Sequence, residues 1–467
     1  MSRRLLPLAA LVLTGCALGP NYRRPEAQPP AAFRGQAQAE AASLADQPWW
    51  DVFGDPALKV LVAEALKSNF DARAATWRVE EYRARLGIER AGWLPAIVPG
   101  ATWARGRQST YSTSGHDLGQ GYDVRAGVSW ELDLWGRVRR LNEAALATYL
   151  GAQDARRGVY LATLAQTAAA YFELRELDHR LEIAKATTAA FGETYDLFSR
   201  RLAGGAASAL EAARARAAKA SAAATIPVLE RQIQAQENLL CLLLGRGPGP
   251  IARGRDLARQ PLPPAIPAGL PSALLERRPD LREAEARLVA ANAAVGVAKA
   301  SQFPTLSLTG LLGGAAPELS RITGPGTEWS VGASLTGPVL QGLRLQRQKD
   351  AAVAQWQQAR VRWQAAVSGA FGEVSSALVA YQKEAEAEKE LAGAVDALKE
   401  AVALANLRYT AGLSNYLEVL DAQQQLFPAE NALSQARLAR LLTMVQLYKA
   451  LGGGWNLADP GAMDPGA

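Results

Sequence analysis

Few side chains in this sequence could carry covalent or acid–base chemistry. Among 467 residues there are two histidines, His116 and His179, and two cysteines, Cys16 and Cys241. His116 sits in a polar, glycine-rich stretch and His179 on a charged helical pattern, so both read as surface histidines. No metal-ligand spacing, nucleophile motif or phosphate loop is present. The stretch "GRGPGP" at 245–250 is interrupted by prolines and reads as a linker. No catalytic activity, metal or cofactor is expected. The charges that draw attention lie instead at two glycine turns. "RLAGGAASALEAARAR" (201–216) and "RYTAGLSNYLEVLDAQ" (408–423) share Arg, Gly and Leu-Glu at one internal spacing, yet Asp421 stands where the other copy has Arg214.

Cys16 carries the other chemistry. Arg3 and Arg4 precede an apolar run, and "LTGC" closes it at a small-residue cleavage site. That pattern has the form of a bacterial lipobox, in which residues 1–15 are removed and Cys16 is acylated. The alternative is an ordinary signal peptide that happens to carry a cysteine. With Cys16 acylated, Cys241 in "LLCLLLG" has no disulfide partner and reads as a small core residue. Removal of the leader leaves 49 basic and 45 acidic residues. Basic side chains are scattered along helical patterns rather than clustered, so no nucleic acid is expected as a partner.

The turns belong to a longer repeat. Arg201 and Arg408, Gly205 and Gly412, Leu210 and Leu417, and Gly245 and Gly452 are each 207 residues apart. Upstream, Leu94-Pro95 matches Phe303-Pro304 at 209, and Gly127 matches Gly332 at 205. Two copies of one unit are expected, at 56–245 and 272–452. Each begins with a helix (about 56–92 and 272–301), then two strands, a very long helix and a returning helix. A Pro/Gly-rich connector, 246–271, joins the copies; an extended segment, 16–55, precedes them and a tail, 453–467, follows. In the long helices Leu181, Ala184, Thr188, Phe191, Tyr195, Phe198 and Leu202 form a seam near a 3.5-residue period. Trp363, Val367, Phe371, Val374, Leu378 and Tyr381 do the same, with Leu391, Val395, Leu398 and Val402 continuing. Runs of sixty-odd residues without proline give rods of ~100 Å. Pro227 and Pro428 should kink the returning helices. Asp280 and Glu283 in "RPDLREAE" have the pattern of a capping box.

Between the helices the period changes to two. Tyr122, Val124, Ala126, Val128, Trp130, Leu132 and Leu134 alternate with polar residues and Gly, as do Leu306, Leu308, Gly310 and Leu312, and Trp329, Val331, Ala333 and Leu335. The fourth segment, 97–107, contains Pro99 and is the weakest. Such alternation fits a soluble half-buried sheet or a membrane barrel with its apolar face in lipid. No run is apolar over the length of a membrane-spanning helix, so any crossing must be made by strands. Segments of about ten residues suit tilted membrane strands. Four strands cannot close a membrane barrel, for which about eight is the minimum, whereas three chains supply twelve.

At this point the sequence resembles a known family. "LTGCALGPNYRRP", "WWDVFGDPALKVLVAEALKSN", "VSWELDLWGRVRR", "GLPSALLERRPDLREAEARLVAANAAVG", "FPTLSL" and "RYTAGLSNYLEVLDAQQQLF" with "YKALGGGW" are similar, in order, to the outer-membrane factor family. These are the TolC-like, lipid-anchored exit ducts of tripartite resistance-nodulation-division (RND) efflux systems. The resemblance implies a mixed α and β fold in a homotrimer. Twelve transmembrane strands would form a β-barrel, continued by a long periplasmic α-helical barrel with the glycine turns at its closed tip. It implies an outer-membrane location, with Ala17 after the acylated cysteine favouring that sorting. The implied partners are outer-membrane lipid, a periplasmic adaptor and an inner-membrane RND pump, with transport driven by the pump. A protein-secretion duct and a non-conducting lipid-anchored coiled-coil spacer are the alternatives.

Two places depart from the family pattern. Leu343 in "PVLQGLRLQ" replaces a glycine of the strand-to-helix turn, and Gln424 stands where Arg is common after "LDAQ". The gate is expected at Asp421, Leu417, Glu418, Arg408, Arg214 and Arg201. Three copies of Asp421 at a trimer axis would form an anionic ring, with Leu417 an apolar ring beside it; Asp421 and Glu418 are otherwise ordinary solvated helix charges. Pairing of Asp421 with Arg214 or Arg201 across helices would hold the tip shut. Gly204, Gly205, Gly412 and Ser414 are expected to dock the adaptor, the plainer reading being that they only reverse the chain.

Overall fold

The computed structural model of the chain describes residues 17–27, 29–36, 43–106, 119–263, 266–324 and 326–453. Cys16, His116 and the tail from Gly454 lie outside the described residues. The chain divides into two compact units that cut across the sequence repeats. One comprises the residues up to Glu26 with Arg78–Gln153 and Glu283–Gln364; the other comprises Ala27–Trp77, Asp154–Arg282 and Ala365 onward.

The first unit holds an antiparallel sheet of β1 (Ala96–Gly106), β2 (Gly119–Leu132), β3 (Thr305–Ala316) and β4 (Thr327–Thr336), in the order β1-β2-β3-β4. The register explains the alternation. Ile97 pairs with Val128, Val128 with Gly310 and Gly310 with Val331; Trp103 pairs with Tyr122, and Ala126 with Leu312. One face is therefore continuously apolar, running through Trp130, Leu308, Ala333 and Leu335. The opposite face carries Arg125, whose guanidinium reaches Asp123 at 2.7 Å and Glu328 at 2.7 Å. Every residue of β1 and β4 is exposed. A soluble half-buried sheet would have one face in a core, and this one does not. Pro99 sits on edge strand β1, where a missing N–H is tolerated.

The remaining long elements are helices, several of them contributing residues to both units. Helix α1 is Trp49–Phe53 and α2 is Pro56–Ser68. Helix α3, Phe70–Ala91, follows after a break at Asn69, so the single helix expected over 56–92 is two. Asn69 makes that break: its Oδ1 accepts from the N–H groups of Asp71 and Ala72, and its Nδ2 donates to the carbonyl of Leu243. Helices α4 (Arg137–Ala203, 67 residues) and α5 (Ala209–Leu243) complete the first repeat. The second repeat has α6 (Leu274–Arg277), α7 (Pro279–Ala300), α8 (Gly342–Thr410, 69 residues) and α9 (Tyr416–Ala450). Pro227 and Pro428 lie inside the unbroken helices α5 and α9.

The expected capping box at Asp280 is replaced by a different arrangement. Pro279 is the first helical residue, and the Asp280 carboxylate receives the Arg278 guanidinium at 2.7 Å. Arg278 also donates to Glu373 and to the carbonyl of Ala450, as Asn69 does to Leu243. Each repeat thus ties its first break to the end of its returning helix.

The seam residues are largely the buried ones: Ala184, Phe191, Phe198, Val367, Val374, Leu378, Tyr381 and Val395 are all buried. Leu202, at the end of the seam, is exposed. Cys241 is buried, with its thiol directed at the Gly249 carbonyl. No helix among the described residues is long and apolar enough to cross a membrane.

One carboxylate joins α2, α4 and the connector. Asp55 caps α2 through the N–H groups of Ala57 and Leu58. Its other oxygen accepts from Tyr171 Oη at 3.0 Å, Arg255 N at 2.9 Å and Gln260 Nε2 at 2.8 Å. Burial works against the charge, but the bonds from Gln260, Arg255, Leu58 and Tyr171 outweigh it and hold the Asp55 pKa below its usual value. A lowered carboxylate pKa stabilises the fold above the unfolded pKa of about 4, and that contribution is lost as the pH falls through the folded value. Replacing Asp55 with Ala removes the acceptor of five donors and should destabilise this unit by about 3 kcal/mol. Asp55→Asn should flatten the loss of helical melting temperature below about pH 4, read by circular dichroism in detergent.

Candidate functional site

The two glycine turns end the long helices in the same way. Gly205 and Gly412 have φ of 71° and 70°, a left-handed conformation that favours glycine. At the first turn Ala206 N donates to Arg201 O and Gly205 N to Leu202 O; at the second Leu413 N donates to Arg408 O and Gly412 N to Tyr409 O. Both are Schellman motifs, which satisfy the last carbonyls of each helix. Space does not dictate the glycines, since a Cβ at either would meet nothing within 4 Å.

The returning helices are then started by side chains. Ser208 and Glu211 form a capping box, Ser208 Oγ accepting from Glu211 N and Glu211 Oε2 accepting from Ser208 N. Asn415 caps α9 by accepting from Leu417 N at 3.0 Å. Behind the turns, Phe191 and Phe198 of α4, Ala212, Ala215, Ala218 and Ala222 of α5, Ala405 of α8, and Tyr416, Val419 and Leu420 of α9 form one buried cluster. Four alanines on one face of α5 let the helices approach closely around three aromatic rings. Phe198 and Tyr416 are 4.3 Å apart between ring centroids, and Tyr409 and Tyr416 are 5.7 Å apart. Burial pushes the Tyr416 hydroxyl pKa above its usual value, so it stays neutral.

The polar groups pair differently from the expectation. Arg201 donates to the Tyr409 hydroxyl, with its guanidinium 5.4 Å from the centre of that ring. Arg408 reaches Glu418 at 3.4 Å across its own turn. Asp421 accepts from Gln425 at 2.7 Å, one helical turn away. Within one chain, then, Asp421 meets neither Arg201 nor Arg214. Arg214 is exposed and has no ion pair or hydrogen bond among the described residues. Leu417 is exposed at the start of α9, beside Glu418. Gly204, Gly205 and Gly412 are exposed, whereas Ser414 is partly covered. Tyr409 was legible only as the aromatic residue before the second glycine; its partner lies 208 residues away. His179 is on α4 beside Glu182, at 3.7 Å.

The residues just after Cys16 are fastened beside the sheet. Leu18 N donates to Trp135 O at 3.0 Å, and Arg140 donates to Leu18 O and to Asn21 Oδ1. Arg24 grips Glu285 through two bonds of 2.7 Å, and Asn292 donates to Pro20 O. Gly136 has φ of 78°, and a Cβ there would come within 2.6 Å of the Ala17 Cα. Residue 17 is therefore packed into the turn where β2 becomes α4.

A sheet with one apolar and one charged face, followed by helices of 67 and 69 residues, can now be compared with known proteins. A family model described as outer membrane efflux protein matches residues 61–246 and 270–453. The chain belongs to the outer membrane efflux protein family. It is 37% identical to the probable efflux pump outer membrane protein TtgC of Pseudomonas putida, over 97% of this chain and 96% of that protein. Its fold is similar to the outer-membrane channel OprN, with a TM-score of 0.87 and 31% identity over 94% of this chain and 100% of the other. It is likewise similar to the open state of the Neisseria gonorrhoeae MtrE outer membrane channel, with a TM-score of 0.85 and 34% identity over 94% and 98% of the two chains. As an outer membrane efflux protein, the chain is an outer-membrane channel, and its strands are the membrane part. The model's two matched segments follow the two rounds of helix, strand pair, long helix and returning helix.

The glycine conformations give a direct check on the turns. Gly205→Ala and Gly412→Ala should each weaken their turn by about 1 kcal/mol, whereas Gly204→Ala, with no positive φ, should be neutral. Limited proteolysis at the turns should accelerate roughly five-fold in the first two variants only.

Proposed function

We propose that three copies of this chain close a twelve-stranded pore and serve as the passive exit duct of a tripartite efflux system. The observation that carries this reading is the sheet itself, which has an apolar face, a charged face and two bare edges, β1 and β4. In lipid a bare edge leaves backbone groups without partners, so the sheet must close. The charged face with Arg125, Asp123 and Glu328 would line the water-filled lumen. Acylation of Cys16 would anchor the chain in outer-membrane lipid, and the fastening of Ala17 and Leu18 beside the strands supports that position. The chain supplies no chemistry of its own: an inner-membrane RND pump would drive transport, and selection of the small molecules exported would rest largely there.

The glycine turns form the periplasmic gate and the docking points for an adaptor in this reading. Gly204, Gly205, Gly412 and Ser414 offer the turns, while Leu417, Glu418 and Asp421 on α9 would line the constriction. Arg408–Glu418 and Arg201–Tyr409 hold the turns in their present form. The ion pair is exposed on both sides, so it contributes about 0–1 kcal/mol. The buried aromatic cluster, by contrast, would move as a body. Arg214, with no partner among the described residues of its own chain, would face Asp421 of a neighbouring copy.

The reading is tested in planar bilayers. The purified protein should run as a heat-modifiable trimer and conduct, with a low open probability. Asp421→Ala, and separately Tyr409→Phe combined with Arg408→Ala, should raise the open probability several-fold. A conducting trimer whose gating is unchanged in both would remove the gate assignment, and a protein that never conducts would remove the duct.

A further inference from the structure

The turn after β4 is the part of the chain that the functional reading leaves unexplained. Gly337 is packed on Pro304, where a Cβ would meet the proline ring at 2.8 Å, yet Val339 and Leu340 beyond it are 90% and 98% exposed. Leu343 is exposed as well. Just before β1, at the same end of the sheet, Trp93 and Leu94 are also exposed, Leu94 at 68%. Val339, Leu340 and Leu343 after β4, and Trp93 and Leu94 before β1, therefore offer apolar surface that the chain leaves largely uncovered, the Trp93 carbonyl accepting from Trp130 Nε1.

The corresponding turn of the first repeat is covered. Trp135, just after β2, lies against Phe303, just before β3, with ring centroids 4.9 Å apart. Trp135 Nε1 also donates to the Pro304 carbonyl at 2.7 Å. Trp135 and Leu340 are 205 residues apart, the spacing of Gly127 and Gly332; Leu94 and Phe303 are 209 apart, the spacing of Pro95 and Pro304. The β2–β3 junction therefore has a counterpart in which β4 meets β1, with Leu340 in place of Trp135 and Leu94 in place of Phe303. Within one chain β4 and β1 are opposite edges of the sheet, about 14 Å apart at the strand spacing, so they cannot meet.

The geometry points to a clasp between copies: Leu340 and Val339 of one chain pack on Leu94 and Trp93 of the next, below the junction of β4 with the neighbouring β1. The inference rests on the trimer proposed above. The register supports it independently. Transposing the pairs Trp130–Leu308 and Ala126–Leu312 places Leu335 opposite Pro99, and Val331 opposite Trp103, of the neighbouring copy. Both transposed pairs keep apolar residues on the apolar face, which a shift by one residue would not. The clasp differs from its template in one respect. Leucine has no N–H, so the junction between copies lacks the hydrogen bond that Trp135 makes to Pro304.

The test uses the full-length protein in detergent with Cys241→Ser as background. Leu94→Cys with Leu340→Cys, treated with a short bifunctional thiol reagent, should give dimers and trimers that survive boiling, and each single variant should give none. Leu340→Asp should lower the temperature at which the trimer dissociates on a gel, and Leu340→Trp should raise it by restoring a donor toward the Pro95 carbonyl. A trimer that persists without cross-links, and with Leu340→Asp unaffected, overturns the clasp while leaving the trimer standing. A parent protein that is monomeric in every detergent removes the trimer itself. A fluorophore on Leu340→Cys quenched by lipids brominated on their acyl chains would assign the turn to the bilayer and overturn the clasp.

Discussion

The structure depends on one constraint: a strand in a membrane must have both of its edges paired. Each N–H and C=O left bare in hydrocarbon costs several kcal/mol, so an open sheet of four strands cannot be an end state there. The chain meets the constraint for β2 and β3 by itself and leaves one edge each of β1 and β4 unpaired, which the proposed trimer would pair. Much else follows. In the proposed trimer, lipid would cover the apolar face and water in the lumen would meet the charged face, so neither face would need helices packed on it.

The strand-to-helix turns, the connector and the glycine turns are held by interactions of different strength. Beside the strands, Arg140, Glu285 and Trp135 lock residues 17–24 and the first strand-to-helix turn with directional bonds, several of them charged. In the second unit, a single buried carboxylate joins α2, α4 and the connector. At the glycine turns the buried contacts are aromatic and alanine surfaces, and the polar contacts are exposed. An exposed ion pair is worth little, so breaking the polar contacts at the turns costs less than breaking those of Asp55 and Arg278. The gate proposed at the glycine turns would need that distribution.

What was readable in the sequence was whatever repeats at short range. The period of two gave the strands and the face each residue takes, and the seam of Phe191, Phe198, Val367 and Val374 gave the long helices to within a few residues. Glycine at 205 and 412 gave the turns because only backbone conformation was needed to identify them. The breaks at Asn69 and Arg278 were missed because each depends on a bond to a carbonyl far along the chain, at Leu243 and Ala450. Asp280 read as a cap because its local pattern is right, but the Arg278 guanidinium claims the carboxylate. Asp55 and Tyr409 were invisible for the same reason as the breaks: their partners lie more than a hundred residues away. The outer-membrane assignment came from ordered motifs across both repeats, which carry more information than any one of them.

Duplication adds a consequence that neither repeat has alone. A trimer of a duplicated unit contains six strand-pair junctions of one kind of geometry, three within chains and three between them. The junction within the chain can afford a directional bond, because Trp135 and Pro304 are tethered by the sequence and meet in a fixed orientation. A junction between chains must form after diffusion, when any donor would first have to give up water. Leucine surfaces make no such demand: they gain on contact, tolerate small errors of approach and leave the register to the strand ladder. In the proposed trimer, Leu340 at the position matching Trp135 would therefore suit the junction between copies. That fit follows from the same constraint that left β1 and β4 bare.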